Sequence, residues 1–270
     1  MKKFTTEKQI NLKDFTDCVY PQGSFCFDRL LRAKDIKVNG VRVSKNLTLY
    51  AGDEVVYYTT EKQESAPSHT VLYEDENVLI ADKPSGVSFE GLLYELSGKG
   101  NYFGVHRLDR NTHGLIVFAK NKDAEEELLS AFEKRLVEKT YIALCKNSFK
   151  NKSASLTAYL LKDERRSEVK VFSAPVKGGV TIKTDYLVLQ ERGDVALVKI
   201  ILHTGRTHQI RAHTAFIGCP VLGDTKYGDK ALNEKYGAKR QRLVAKYLKF
   251  NLCGKLSYLN STTFESGYTL

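Results

Sequence analysis

The sequence predicts an α+β fold, with one large domain behind a small N-terminal module. Three observations support this. Short β-branched and aromatic runs closed by Gly, Asn or Asp recur along the chain. Two stretches carry helical periodicity instead. Strands and helices also follow one another without a regular βαβ alternation. The 270 residues are 42% hydrophobic, enough to bury a core without disulfides or metals.

The first 60 residues read as the module. FDRLLRAKDIKVNGVRV gives a short helical piece and then a hairpin, with Asn39-Gly40 between two β-branched runs. Gly52-Asp53 turns the chain into another strand, EVVYY. Residues 61–69, EKQESAPSH, are polar with one Pro and read as a linker.

The large domain spans 70–270. VLYEDENVLIADKPSG opens it as a hairpin around the polar EDEN turn. Pro84 with Gly86, Gly91, Gly98, Gly100 and Gly104 predicts a loop-rich stretch. From Asp123 to Lys139 the pattern is helical: Leu128, Phe132 and Leu136 recur every four residues, with acids early and bases late, as the helix dipole favours. TYIALC, TIKTDYLVLQ and VALVKIIL read as strands, the last two joined by ERGD. THQIRAHTAFIG reads as a helix ended by Gly218. No internal repeat is present.

Lys and Arg number 42 against 32 acids, a net charge of +10. That points to a polyanionic partner, with an anionic membrane surface also open. Residues 226–255 hold nine Lys or Arg against two acids, interleaved with Tyr227, Tyr236, Tyr247 and Phe250. Such a stretch suits a nucleic-acid backbone, or an amphipathic end whose aromatics face the core. Five cysteines (Cys18, Cys26, Cys145, Cys219, Cys253) form no C-x-x-C pair, which suits a reduced, intracellular protein. The first residues lack the apolar run of a secretory signal, and no stretch approaches the ~18 apolar residues of a membrane helix. The expectation is a cytoplasmic protein with no membrane partner. Nothing in the pattern suggests self-association, so a monomer is expected.

Several chemistries are excluded. GLLYELSGKG has the wrong glycine spacing for a phosphate-binding loop, and Lys99 is followed by Gly. No G-x-S-x-G elbow occurs. His203, His208 and His213 are five apart, a spacing that points them off one face of a helix or a strand, so no metal site is expected. His106-Arg107-Leu108-Asp109 stands out instead. It places charge at the mouth of THGLIVFAK, which has the composition of a central strand. A carboxylate held there needs a cationic partner to stay ionised. HTGRTHQIRAHT supplies Arg206 and Arg211 where a strand passes into a helix.

These residues carry a resemblance. HRLDRNTHG closely resembles the H-R-L-D-x-x-T-S-G motif of the RluA-type family of pseudouridine synthases. EDENVLIADKPSG, EKTYIALC, HTGRTHQIRAH, GCPVLGDTKYG and RQRLVAKYLKF resemble further family segments in the same order, over roughly residues 71–250. The first 60 residues resemble a degenerate S4-like RNA-binding module. The resemblance implies a mixed, largely antiparallel central sheet with flanking helices. It also implies isomerisation of uridine to pseudouridine in structured RNA, ribosomal or transfer, without a cofactor. The N-glycosidic bond is cut, the uracil turns, and it is rejoined through carbon. Asp109 then corresponds to the catalytic carboxylate and Tyr141 to the tyrosine that stacks on the base near the proton it loses. Arg211 corresponds to the partner of that carboxylate, and Arg107 to the arginine that enters the helix when the base leaves it. His106 and Arg206 join Arg107 on the RNA-binding side, His106 mainly as a support for the loop. The chemistry agrees: an aspartate is anionic at neutral pH and needs no neighbouring base to activate it, unlike a serine.

The chain departs from the family's pattern at His113, where Ser is usual, and at Val244, where His is common. Two other function classes compete. A non-catalytic RNA-binding or ribosome-assembly factor would use the same basic surface, but the complete set of motifs argues against it. A DNA-binding regulator lacks a helix-turn-helix or a dimer zipper.

Overall fold

The computed structural model describes residues 1–20, 27–60, 68–163 and 168–270. They form two compact units. One comprises Met1–Asn111 with Val117–Lys122, the other Thr112–Ile116 with Asp123–Leu270. Most of the expected linker, residues 61–67, and Cys26 lie outside the described residues.

The first unit begins with β1 (Lys2–Thr5), β2 (Ile10–Asn11), α1 (Leu12–Val19), α2 (Phe27–Ala33), β3 (Ile36–Val38), β4 (Val41–Arg42), β5 (Thr48–Leu49) and β6 (Glu54–Tyr57). Four of the strands form a sheet in the order β1-β6-β3-β4, and β2 pairs with β5. Asn39 and Gly40 have φ of 48° and 78° and close the β3–β4 hairpin that the sequence predicts. Leu12, Phe15, Tyr20, Leu30, Ile36, Leu49 and Tyr57 pack as one apolar cluster.

The same unit continues through β7 (Thr70–Glu74), β8 (Val78–Lys83), α3 (Phe89–Ser97), β9 (Phe103–Gly104) and the end of β10 (His113–Ala119). β7 and β8 are the predicted hairpin; the Asp75 carboxylate accepts from the N–H groups of Asn77 and Val78, both at 2.7 Å. α3 corrects the expected loop. Ser88 caps it, accepting from the Gly91 N–H at 3.1 Å, and Leu92 and Leu96 are buried. Gly91 misled the prediction because it serves packing rather than a turn: a Cβ there would lie 1.9 Å from the Asp17 carbonyl oxygen of α1.

The second unit contains α4 (Lys122–Glu133, its first residue in the first unit), β11 (Val137–Lys146), β12 (Ser153–Asp163), β13 (Glu168–Phe172), β14 (Val180–Arg192), β15 (Val195–Leu202), α5 (Gln209–Phe216), α6 (Lys230–Lys235), β16 (Leu243–Phe250), a 3₁₀ turn (Lys255–Ser261) and β17 (Thr263–Glu265). Its strands run in the order β13-β12-β14-β15-β11-β16, with β17 also paired to β16. Every pairing there is antiparallel except that of β16 with the start of β10. The sheet is mixed and largely antiparallel, as expected. α4 is shorter than its periodicity suggests. Arg135 takes a left-handed φ of 62°, Leu136 N–H closes the end on Ala131 O, and Leu136 and Lys139 leave the helix for β11 and its approach. β14 and β15 are the two strands read around ERGD, and α5 ends just before Gly218. Among the described residues, no helix is long and apolar enough to cross a membrane.

Candidate active site

In the first unit, the HRLD stretch is a loop leading into β10. Leu108 is buried, Arg107 is exposed and Asp109 half-buried, so the chain alternates inward and outward across the three residues. His106 Nε2 accepts the Val117 N–H at 3.0 Å, which ties the loop to β10 and leaves Nδ1 as the ring's only place for a proton. His106 is thereby a support of the loop. Arg107 reaches Glu90 at 2.9 Å, with its guanidinium 5.9 Å from the Phe89 ring centre. That pair is exposed on both sides, so the contact is worth under about 1 kcal/mol and leaves Arg107 free to rearrange.

Behind Asp109, the loop is held by a buried cation that the sequence reading did not single out. Lys83 closes β8, is fully buried, and donates its three ammonium hydrogens to the carbonyls of Val87, Pro84 and Arg110 at 2.8, 3.1 and 3.1 Å. Gly86 N–H also donates to Arg110 O, and Ser85 Oγ to Asn111 O. The DKPSG and HRLDRN segments are therefore fastened together through the main-chain carbonyls of Arg110 and Asn111. Burial pushes the Lys83 pKa down to about 7, while the charges of Asp109, Asp82 and Glu90 work in the opposite direction. Arg110 pairs with Asp17 on α1, so the motif is also anchored to the first 60 residues.

In the second unit, Tyr141 lies on β11, buried between Ile200 of β15 and Ala245 of β16. The register shifts between Thr140 and Tyr141, a bulge of the kind that re-aims a side chain at a site. Arg211, on α5, is buried and forms a bidentate pair with Asp224, Nε to Oδ2 at 2.7 Å and Nη2 to Oδ1 at 3.1 Å. Asp224 also accepts the N–H groups of Lys226 and Tyr227 at 2.8 and 3.0 Å. Burial alone would raise its pKa; the hydrogen bond and charge of Arg211 and the two N–H groups hold it below the usual carboxylate range. The guanidinium carbon lies 5.2 Å from the Tyr227 ring centre. This partner of Arg211 was not foreseen, although Asp224 falls in the quoted GDTKYG segment.

Gln209 shapes the turn that carries Arg206. Its Oε1 accepts from Thr204 Oγ1 and Arg206 N, and its Nε2 donates to Lys183 O and Thr184 Oγ1. Arg206 itself is exposed. The three evenly spaced histidines have three different neighbours. His203 meets Asp185 at 2.6 Å, His208 meets the Tyr227 hydroxyl at 3.0 Å, and His213 meets Thr184 Oγ1 at 3.1 Å. Burial takes the His213 pKa down to about 4. His208 holds a left-handed φ of 55° just ahead of α5, a costly conformation typical of functional loops. Of the basic region's aromatics, Phe250 is buried and Tyr236 exposed, so the two readings of that stretch each hold for part of it.

Residues 77–216 match the family model described as RNA pseudouridylate synthase. The chain belongs to that family. The chain is an RNA pseudouridine synthase, an isomerase. It is similar to the ribosomal large subunit pseudouridine synthase C of Vibrio cholerae, 32% identical over 82% of this chain and 78% of that protein. The protein of the same name from Escherichia coli K12 is 31% identical, with the same coverage. Among solved structures, human RNA pseudouridylate synthase domain containing 1 matches with a TM-score of 0.58 and 25% identity, over 75% of this chain and 91% of that one.

Both departures from the synthase motif pattern lie in one place: His113 and Val244 are register partners on β10 and β16. Thr112, just ahead, accepts from buried Gln241 Nε2 at 3.0 Å. Gly114, just after, has φ of 120°, and a Cβ there would lie 2.3 Å from Ala245 O.

Proposed function

We propose that this synthase acts on ribosomal RNA, with Asp109 as its catalytic carboxylate. The observation that carries the reading is HRLD followed by a strand buried from Gly114 to Ala119, with half-buried Asp109 in a loop pinned by Lys83. In the proposed reaction, the N-glycosidic bond of the target uridine breaks, the uracil turns, and its carbon rejoins the ribose. No atom is gained or lost, and no electron is transferred overall. Asp109 supplies negative charge at the reacting nucleotide. Tyr141 stacks on the base and lies by the proton that leaves its carbon. Arg211 keeps two N–H groups engaged with Asp224, and its others are assigned to the Asp109 carboxylate on the motif resemblance. Arg107, exposed and weakly tethered, fills the space left by the extruded base, which repays part of the few kcal/mol that unstacking costs. His106 and Arg206 flank the RNA path. The first 60 residues serve as an S4-like RNA-binding module. The net charge of +10 and the names of the curated relatives support ribosomal RNA as the substrate.

The test is pseudouridine mapping across all RNA from cells with the gene, without it, and with Asp109→Asn. A uridine in ribosomal RNA should lose its modification in the deletion and stay unmodified with Asp109→Asn. A lost site in transfer RNA alone would overturn the substrate. A restored site with Asp109→Asn would overturn the assignment of the carboxylate.

A further inference from the structure

The His113 and Tyr268 rings stack, with centroids 3.9 Å apart and planes 19° from parallel. Neither ring is there by default. Tyr268 belongs to a segment held by Lys246 of β16, whose ammonium lies 2.9 Å from the Glu265 carboxylate and donates to the carbonyls of Ser266 and Tyr268 at 2.5 and 3.3 Å. Ser266 is fully buried; its N–H donates to Lys246 O at 2.9 Å, and its Oγ accepts the Tyr268 N–H at 3.2 Å. Both main-chain polar groups of Tyr268 are thus engaged, which aims the ring. His113 is the first residue of β10, between Thr112, held by Gln241, and Gly114, locked against Ala245. β16 therefore organises both members of the stack, through Val244 and Ala245 for His113 and through Lys246 for Tyr268. A ringless side chain at 113 would give Tyr268 nothing to stack on.

We propose that Tyr268 is a positioning residue for the isomerisation, its ring clamping His113 and so fixing the start of β10, four residues after Asp109. The inference rests on Asp109 being the catalytic carboxylate. A rigid strand end holds the preceding loop to one geometry, and a displacement of about 1 Å in a reacting group can cost about a hundred-fold in rate.

The experiment measures kcat, KM and RNA affinity of the full chain on a ribosomal RNA transcript, with thermal melting alongside. Tyr268→Ala should lower kcat roughly ten- to hundred-fold, with KM and affinity within about two-fold. Tyr268→Phe, which keeps the ring, should restore it. His113→Ala should reproduce the loss, His113→Phe should escape it, and the double alanine variant should be no worse than either single one, because both remove the same contact. If Tyr268→Ala does not fold, the two His113 variants decide: equal rates for them overturn the proposal. An unchanged kcat in Tyr268→Ala, a loss carried by KM or affinity, or a Tyr268→Phe as slow as Tyr268→Ala also overturns it. Activity in Asp109→Asn would overturn the reading of Asp109 and this inference with it. A wild-type-like Tyr268→Ala beside an inactive Asp109→Asn overturns this inference alone.

Discussion

Arg211 and Asp224 form a buried bidentate pair, Nε to Oδ2 at 2.7 Å and Nη2 to Oδ1 at 3.1 Å. The Asp224 carboxylate is depressed below its ordinary range despite its burial. Its unfolded form binds protons more readily than its folded form, so the stability it contributes is present above about pH 4 and is lost as pH falls through the folded value. Asp224→Asn leaves the guanidinium buried beside a neutral partner and should cost about 3–5 kcal/mol at pH 7. Urea unfolding at pH 7 and below pH 4 checks this: the gap between variant and wild type should narrow in acid. A gap independent of pH would contradict the account.

Lys83 is the second buried cation, and it makes stability rise with pH in the same sense but in a higher pH window. Its folded value of about 7 lies below the ordinary 10.5 because burial disfavours the charge. Between those values the unfolded chain binds the extra proton, so stability should climb as pH rises from about 7 towards 10.5. Lys83→Met abolishes that climb. It also takes the ammonium donor from the carbonyls of Pro84, Val87 and Arg110, although Arg110 O keeps the Gly86 N–H and Pro84 O the Val87 N–H. The loss should cost roughly 1–3 kcal/mol at pH 7 and slow catalysis by loosening the loop next to Asp109. Unfolding free energies measured from pH 7 to 10 in both proteins decide it.

Much of the fold was legible because its signals are local. Asn39-Gly40 needs no distant partner to mark a hairpin, and the apolar, β-branched run VALVKIIL after the ERGD turn marks β15 unaided. α3 was not legible. Gly91 reads as a loop residue until the Asp17 carbonyl of α1 is seen where its Cβ would be. The end of α4 was missed because the four-residue spacing of Leu128, Phe132 and Leu136 runs on past the left-handed Arg135. Among candidate site residues, Asp109 stands out by the charge it brings to a strand mouth, and its proposed role comes from the motif resemblance. Lys83 and Asp224 could not, since their weight comes from burial and from partners far off in sequence. His113 looked like an isolated departure; only the register with Val244 and the stack on Tyr268 give it a place.

Gly114→Ala should be among the most damaging small substitutions. The backbone φ of 120° is one that side chains rarely adopt, and the new methyl would meet Ala245 O at 2.3 Å and Ala245 N at 2.7 Å. Both are main-chain atoms of the parallel β10–β16 pairing and cannot rotate aside. The expected loss is about 4 kcal/mol or more, seen as a fall in melting temperature or as insoluble protein. A variant that melts like wild type would mean that β10 can shift its register without cost.

Lys239 and Arg240 are exposed immediately before Gln241, which is buried and bonded to Thr112. They are thus two exposed cations on an anchored stretch, and they suit contact with phosphates. Each phosphate contact neutralised by a cation releases counterions, and the logarithm of affinity falls with the logarithm of salt in proportion. The double variant Lys239→Ala, Arg240→Ala should weaken RNA binding and lower that slope by roughly 1.4 to 1.8, for two lost contacts at 0.7 to 0.9 each. The rate at saturating RNA should stay near wild type, because neither side chain is among the proposed catalytic groups. Filter binding across a salt series, paired with single-turnover rates, separates the two effects. A fall in the saturated rate with an unchanged salt slope would place the two cations in the chemistry rather than on the RNA backbone.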